Sequence, residues 1–72
     1  MPLANIKVIE GVFTDFEKQQ MIKKVTEALI SVEGEPLRGY TLVILEETKS
    51  GDWAVGGQSL TTQQVKQVRQ GG

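Results

Sequence analysis

Residues 14–32 have the sequence TDFEKQQMIKKVTEALISV, and their pattern specifies the central element of the fold. Its apolar side chains recur at intervals of three and four residues, which is the period of an amphipathic helix. The stripe consists of Met21, Ile22, Val25, Ala28, Leu29 and Val32. We predict a helix that packs this stripe into the core and carries its lysines and glutamines largely on other faces.

Both ends of this helix are marked by local residues. Thr14 can accept a hydrogen bond from the backbone N–H of Glu17, whose side chain can reach back to the N–H of Thr14, as in a capping box. Gly34 is placed to end the helix, and Pro36 is expected to prevent it from starting again.

Two predicted strands flank the helix. Residues 3–10, LANIKVIE, alternate loosely and contain β-branched side chains, which favours a strand that Gly11 ends. Residues 40–46, YTLVILE, form the second strand, in which residues 42–45 are all apolar. A strand covered on one face only should alternate, so this run indicates burial on both faces. One helix cannot cover two faces, and we expect a second protein surface to cover the other.

The order of strand, helix and strand favours a parallel pair joined by a right-handed crossover. We therefore predict an α+β fold, built as a β-α-β unit in a single domain that spans residues 1–72. The sequence TKSGDWAVGG forms a loop or a short hairpin around Trp53. Residues 58–72 form a weakly patterned C-terminal tail, in which Thr61 or Thr62 caps a short helix.

The composition excludes several kinds of site. The 72 residues contain no cysteine and no histidine, which rules out disulfides, zinc thiolate sites and Ser-His or Cys-His pairs. The net charge is −1 and the sequence has no basic run, which argues against a nucleic-acid partner. No apolar stretch approaches the ~20 residues of a membrane span, and no signal peptide is visible, so we expect a cytoplasmic protein. Because so short a domain is marginal alone, we expect oligomerisation to support it.

Most of residues 1–57 falls into four stretches: MPLANIKVIEG, the predicted helix, EPLRGYTLVILEE and GDWAVGG. In combination they resemble the 4-oxalocrotonate tautomerase family of the tautomerase superfamily. The resemblance implies dimers with a four-stranded sheet and two helices on one face, assembled as a homo-hexamer or a mixed hexamer. It also implies an isomerase that needs no cofactor and no metal. Such an enzyme moves a proton within a small unsaturated 2-oxo or 2-hydroxy acid.

The resemblance assigns the role of general base and acid to Pro2. A small second residue favours removal of Met1, which would leave Pro2 with a secondary amine. Terminal amines have a pKa only slightly above neutrality, and burial lowers the pKa of such a cation, so an apolar pocket suits proton exchange. The apolar walls that we expect around the amine are Ile9, Val12, Phe13 and Trp53, the last at the position of the family's active-site aromatic residue.

Two arginines that hold substrate carboxylates in the family's reference enzyme are missing here. Val12 occupies the position of the first and Thr41 that of the second. Arg38 lies three residues before Thr41 and is the expected carboxylate contact. If residues 38–41 are extended, Arg38 and Thr41 face opposite ways, and a bend at Gly39 is needed to bring Arg38 back.

The missing arginines leave three interpretations open. Arg38 or Lys7 binds a smaller or monocarboxylate substrate, or a second kind of subunit supplies arginines in a mixed oligomer. In the third, the chain is a non-catalytic or accessory subunit of a tautomerase-like assembly. For the enzyme we place Arg38, Trp53, Ile9, Val12 and Thr41 in the substrate site beside Pro2.

Overall fold

The computed structural model describes residues 1–71, and Gly72, the last residue of the tail, lies outside the described residues. The chain forms two long strands, a short hairpin, two α-helices and a 3-10 helix. In order they are β1 (Leu3–Ile9), α1 (Asp15–Glu33), the 3-10 helix (Glu35–Tyr40), β2 (Leu42–Thr48), β3 (Trp53–Val55), β4 (Gln58–Leu60) and α2 (Thr62–Arg69).

The predicted β-α-β unit is confirmed. β1 and β2 pair in parallel, with Leu3 opposite Leu42 and Ile9 opposite Thr48, and α1 connects them and contacts β2. Alternate residues of β1 differ in exposure because successive side chains point to opposite faces of a strand. The less exposed set, which faces α1, is Ala4, Ile6 and Val8.

The predicted caps of α1 are confirmed. The N–H of Glu17 donates to Oγ1 of Thr14 over 3.1 Å, and the N–H of Thr14 donates to Oε1 of Glu17 over 2.9 Å. At the other end, Gly34 adopts a φ of 104°, which side-chain-bearing residues rarely adopt, and its N–H donates to the carbonyl of Ile30 over 2.9 Å. These local hydrogen bonds set where α1 begins and ends.

The buried side of α1 differs in part from the predicted stripe. Val32 is 90% exposed and Ala28 is also exposed, whereas Ile30 is buried. The prediction of a wholly buried stripe is therefore wrong for Ala28 and Val32. The physical reason is the width of the sheet, because two strands about 4.8 Å apart cover only a narrow strip of a helix. The remaining members, Met21, Ile22, Val25 and Leu29, are half-buried.

The segment after α1 corrects a second expectation. Pro36 does not prevent further helix, because Glu35–Tyr40 form a 3-10 helix with Pro36 in its first turn. Proline is tolerated there, since the N–H that it lacks would have no helical partner. The second strand consequently spans Leu42–Thr48 instead of residues 40–46. The extended conformation considered for residues 38–41 does not occur at 38–40.

Of the two alternatives for the segment around Trp53, a loop or a short hairpin, the structure shows the hairpin. β3 and β4 pair antiparallel, with Trp53 opposite Leu60. The two residues between the strands, Gly56 and Gly57, have φ values of 59° and 84°. Two-residue hairpin turns commonly need positive φ at both positions, which glycine adopts without strain.

The predicted short C-terminal helix is confirmed, and of the two candidate caps the structure shows Thr61. The N–H of Gln64 donates to the Thr61 hydroxyl over 3.2 Å, and the N–H of Thr61 donates to Oε1 of Gln64 over 2.9 Å. The next residue attaches α2 to the end of β1, because the Thr62 hydroxyl donates to the carbonyl of Glu10 over 2.6 Å. The N–H of Thr62 also donates to the hydroxyl of Ser50 over 2.9 Å.

The sheet face opposite α1 is open in the single chain, and it is apolar at the end where the long strands begin. Leu42 is 53% exposed and Ile44 is 42% exposed, and Leu3 of β1 lies beside Leu42. Both outer edges of the two-stranded sheet are unpaired within residues 1–71. Over the same residues, neither helix has the length and apolar character needed to cross a membrane.

Candidate active site

Pro2 lies at the end of the sheet where both long strands begin. It immediately precedes β1 and is half-buried. Its carbonyl accepts a hydrogen bond from the N–H of Leu42 over 3.1 Å. Because Leu3 pairs with Leu42 in a parallel register, Thr41 lies level with Pro2. The structure thus brings together two of the residues that the sequence assigns to the site.

The Thr41 hydroxyl lies close to two acceptors. Its oxygen is 2.5 Å from Oε2 of Glu33 and 2.9 Å from the carbonyl oxygen of Leu37. A hydroxyl has one hydrogen and two lone pairs, so it donates to one of these groups at a time and can still accept a hydrogen bond. Glu33, the last residue of α1, brings a carboxylate to this end of the sheet. No local sequence pattern predicts that contact.

Arg38 is held by two carboxylates. Its Nη1 and Nη2 donate to the two oxygens of Glu27, each over 2.9 Å, and its Nε donates to Glu35 over 2.6 Å. A further bond joins Nη2 to the second Glu35 oxygen over 3.2 Å. These bonds raise the pKa of Arg38 and lower the pKa values of Glu27 and Glu35. Four of the five guanidinium N–H groups are therefore engaged, which leaves one hydrogen on Nη1.

Lys7, the other cation considered for the substrate, lies on the open face of the sheet. Its Nζ is 3.8 Å from Oε2 of Glu46, and both side chains are half or more exposed. The same glutamate accepts a hydrogen bond from the Asn5 amide over 2.8 Å. Lys7 and Arg38 are thus both paired with acidic side chains.

The predicted apolar walls lie at the opposite end of β1. Ile9 and Val12 are almost completely buried, with 4% and 8% of their surfaces exposed, and Trp53 is half-buried at the start of β3. The N–H of Ser50 donates to Oε1 of Glu10 over 3.1 Å, which ties the loop before Trp53 to this end of β1.

The predicted site residues consequently form two groups within one chain. Pro2, Thr41 and Arg38 belong to the end where the long strands begin, and Ile9, Val12 and Trp53 to the end where β1 finishes. Seven strand residues at about 3.3 Å each separate the groups by roughly 23 Å. One small substrate cannot contact both groups of the same chain.

Arg69 is a prominent residue at the second group that the sequence did not predict. Its Nη1 donates to the carbonyl of Val12 over 3.3 Å and to Oε1 of Glu17 over 3.2 Å, and its Nη2 donates to the other Glu17 oxygen. The guanidinium carbon lies 4.8 Å from the centre of the Phe13 ring, a cation-π distance. The cap at Thr61 indicates a helix, but nothing in the sequence indicates where the last turn of that helix, which carries Arg69, packs.

The residues that commonly bind metals are dispersed. Within residues 1–71, no three aspartate or glutamate side chains cluster in a way that would hold a metal ion. The polar side chains at the Pro2 end are the hydroxyl of Thr41, the carboxylate of Glu33 and the guanidinium of Arg38. They can form hydrogen bonds to a ligand.

Comparison with known proteins shows the family. The sequence model of the Tautomerase family, described as tautomerase enzyme, matches residues 2–63. The chain is 34% identical over 61 residues to probable tautomerase K2 of Dickeya dadantii, across 85% of this chain and 90% of the relative. It is 37% identical over 59 residues to a 2-hydroxymuconate tautomerase of Pseudomonas putida, across 82% of this chain and 90% of that protein.

Known structures agree with the sequence comparison. A 4-oxalocrotonate tautomerase isozyme from Methylibium petroleiphilum superposes with a TM-score of 0.72 at 34% identity, across 81% of this chain and 90% of the other. Fold, sequence and the position of Pro2 before β1 all agree with the resemblance seen in the sequence. The chain belongs to the Tautomerase family and is an isomerase of the 4-oxalocrotonate tautomerase type.

Proposed function

We propose that the protein catalyses keto-enol tautomerisation of a small unsaturated 2-oxo or 2-hydroxy acid, with Pro2 as general base and acid. The observation that carries this proposal is the position of Pro2, half-buried directly before β1 in a chain of the Tautomerase family. Removal of Met1 gives Pro2 a basic nitrogen, whereas the amide nitrogen of a Met1–Pro2 bond has no available lone pair.

The proposed reaction balances within the substrate and one amine. The Pro2 nitrogen takes the proton of the 2-hydroxyl group, and the O–H electron pair forms the C2 carbonyl. The electrons of the adjacent carbon-carbon double bond move along the conjugated system to C3 or C5. That carbon then takes the proton back from the Pro2 ammonium. The amine ends as it began, and no oxidant, reductant or cofactor takes part.

We further propose that the complete site forms between copies of the chain. The roughly 23 Å between Pro2 and the walls around Val12 and Trp53 supports this, because a second copy is needed to bring such walls to Pro2. The open face with Leu3, Leu42 and Ile44 and the unpaired strand edges support the same arrangement. A homo-hexamer built from dimers with a four-stranded sheet accounts for both features.

At the Pro2 end, we propose that Thr41 and Arg38 contact the substrate. The Thr41 hydroxyl lies level with Pro2 and can accept a hydrogen bond from the 2-hydroxyl group of the substrate, since its own hydrogen is donated to Glu33 or to the Leu37 carbonyl. Arg38 has one remaining Nη1 hydrogen, which suits a substrate with a single carboxylate at this end better than a bidentate contact.

A mixed assembly is the second candidate. The observation that favours it is the pairing of Arg38 with Glu27 and Glu35. These two carboxylates neutralise the positive charge that a substrate carboxylate would need at the Pro2 end. In such an assembly this chain would act as an accessory subunit, and a different chain would supply free guanidinium groups.

The proposed function is tested by combining mass spectrometry with an enol-to-keto assay. We expect the purified protein to have lost Met1 and to convert 2-hydroxymuconate or phenylenolpyruvate, followed by ultraviolet absorbance. Pro2→Ala should lower kcat by a factor of about 100 to 10,000, the usual contribution of a general base.

The matched control is Pro36→Ala, which alters the other proline of the chain in the 3-10 helix. It should leave kcat close to that of the unsubstituted protein. Equal rates for Pro2→Ala and the unsubstituted protein would defeat the role of Pro2. Turnover that appears only after mixing with a second tautomerase-type chain would favour the accessory role.

A further inference from the structure

A cavity of about 420 Å³ lies between α2 and the turn that joins β1 to α1. Its walls are Val12, Lys66, Arg69 and Gln70. The volume lies within the range of small-molecule sites. Three of the four lining residues lie beyond residue 63, where the match to the Tautomerase family ends. The cavity is therefore a feature of the C-terminal part of this chain.

The cavity is framed by contacts at both ends of α2. At the first turn, the Thr62 hydroxyl donates to the carbonyl of Glu10 over 2.6 Å. At the last turn, Arg69 donates to the carbonyl of Val12 and to Glu17, and it packs over Phe13. Because α2 is attached at each end, the side chains between the attachments are held over the turn.

The charge of the cavity is positive. Lys66 and Arg69 are three residues apart on α2 and therefore lie on the same side of the helix. Glu17 neutralises Arg69, whereas Lys66 forms no ion pair with any residue from 1 to 71. The hydrogen bond from Arg69 lowers the pKa of Glu17 to about 2, so this pair stays charged at neutral pH. One positive charge, from Lys66, remains.

Arg69 also keeps donors for a ligand. Its three hydrogen bonds engage both hydrogens of Nη1 and one hydrogen of Nη2. The N–H of Nε and one hydrogen of Nη2 have no acceptor within residues 1–71. The guanidinium carbon lies over the Phe13 ring, which accepts no in-plane hydrogen bond, and these two donors therefore stay available to a ligand.

We infer that this cavity binds a small organic carboxylate, with the anionic end at Lys66 and Arg69 and the apolar part against Val12. The ammonium group and the free guanidinium hydrogens provide charge-assisted hydrogen bonds to the carboxylate oxygens. Val12 lines the cavity with the 8% of its surface that is exposed, which gives the apolar part of the ligand a small contact that an inorganic anion would not use.

The same cavity becomes a carboxylate subsite for Pro2 of a second copy if copies meet as proposed above. That extension rests on the proposed function, because it needs the assembled site. Binding of the carboxylate to a single chain is independent of the proposed function, since Pro2 lies at the opposite end of β1.

Amide NMR spectra of the Pro2→Ala protein, recorded during titration with sodium 2-oxobutyrate, test the inference without any catalysis. We expect the amide signals of Val12, Lys66 and Gln70 to shift together and to saturate. Lys66→Gln should weaken binding about tenfold, because it removes a charge-assisted hydrogen bond. Lys24→Gln, which removes an exposed lysine from α1, is the matched control and should leave the affinity unchanged.

Lys66→Gln tests the site without disturbing α2, because the Lys66 side chain takes no part in attaching the helix. A substitution of Arg69 would also remove contacts that hold α2 in place. Equal affinity in Lys66→Gln and in the parent protein would overturn the inference, as would the absence of saturable shifts. Equally tight binding of the neutral analogue butanone would overturn the role of charge. Equally tight binding of inorganic phosphate would overturn the assignment to an organic carboxylate.

Discussion

The Arg69 guanidinium in the last turn of α2 pairs with the Glu17 carboxylate in the first turn of α1, 52 residues earlier in the chain. The same arginine donates to the carbonyl of Val12 over 3.3 Å. Glu17 also completes the capping box of α1 with Thr14. One carboxylate therefore both caps a helix and anchors the C-terminal helix.

Loss of this ion pair should free α2 without unfolding the β-α-β unit. We expect Arg69→Gln to speed amide hydrogen exchange across Thr62–Arg69, because the last turn loses its attachment. Glu17→Gln should act in the same way, since glutamine can still complete the capping box but carries no charge. Hydrogen exchange measured by NMR checks both variants.

Arg69→Lys is the informative comparison, because it keeps the charge and loses the two-pronged contact. It should give exchange rates between those of the parent and Arg69→Gln. Unchanged protection of α2 in Arg69→Gln would show that the pair does not anchor the helix.

The attachment of α2 should depend on pH in the acidic range. Hydrogen bonding from Arg69 lowers the pKa of Glu17 from its ordinary 4.5 to about 2 in the folded chain. A carboxyl with a depressed folded-state pKa stabilises the fold fully above its ordinary pKa, and this contribution is lost as pH falls. We therefore expect the protection of the α2 amides from hydrogen exchange to decline as the pH falls from about 4.5 to about 2.

The control for the pH experiment is Glu17→Gln, which cannot titrate at this position. Its α2 protection should be low and nearly independent of pH across the same window. A parent protein whose Glu17 titrates near 4.5 by NMR would contradict the prediction.

Gly11→Ala should destabilise the protein, because two constraints act at this turn. Gly11 has a φ of 79°, and an added Cβ would lie 3.0 Å from Cγ2 of Thr62. The left-handed backbone alone costs about 1–2 kcal/mol for a residue with a side chain. Chemical denaturation should show that the free energy of unfolding falls by at least this amount.

Gly39→Ala is the matched control, since Gly39 has no positive φ and no atom would lie within 4 Å of the added Cβ. Its stability should stay within about 0.5 kcal/mol of the parent. Adding Thr62→Ser to Gly11→Ala should recover the part of the loss that comes from the close contact. A Gly11→Ala protein as stable as Gly39→Ala would contradict both constraints.

A charge on the open sheet face should break the proposed assembly. Ile44→Glu places a carboxylate on the face that also carries Leu3 and Leu42, and burying it without a partner costs several kcal/mol. We expect sedimentation to show smaller species for this variant than for the parent. Val32→Glu, at the 90% exposed position on α1, is the control and should leave the assembly intact.

Arg38→Gln should raise KM about tenfold with little change in kcat, if Arg38 holds the substrate carboxylate in both the ground and transition states. Glu35→Gln is the control, because it disturbs the same 3-10 helix but retains the guanidinium. Steady-state kinetics separates the two. An equal rise in KM for both variants would show that Arg38 acts by holding the 3-10 helix.

The predictable parts of the fold are those formed by residues that are close together in the sequence. The capping boxes of Thr14 with Glu17 and of Thr61 with Gln64 each join residues three apart. The start of α1 therefore follows from local sequence, and that of α2 follows to within one residue. The glycine pair at 56–57 likewise predicted a hairpin turn as one alternative. The prediction that Pro36 prevents further helix is wrong, because a 3-10 helix accepts proline in its first turn as readily as an α-helix does.

The candidate site was predictable only in part, since it depends on distant partners. The sequence indicated Pro2 and its neighbour across the sheet, Thr41. It did not indicate that Glu27, 11 residues before Arg38, would hold that arginine. The separation of Val12 from Pro2 of the same chain, by contrast, follows from the predicted strand that lies between them.

The β-α-β order and the capping box of α1 follow from the sequence alone, because they depend on periodicity and on hydrogen bonds within a few residues. The partners of charged side chains, such as Glu17 for Arg69 and Glu27 for Arg38, depend on how distant segments pack. A long, flexible side chain pairs with whichever carboxylate the packing brings within its reach. The packing between distant segments cannot be inferred from the spacing of residues within one segment.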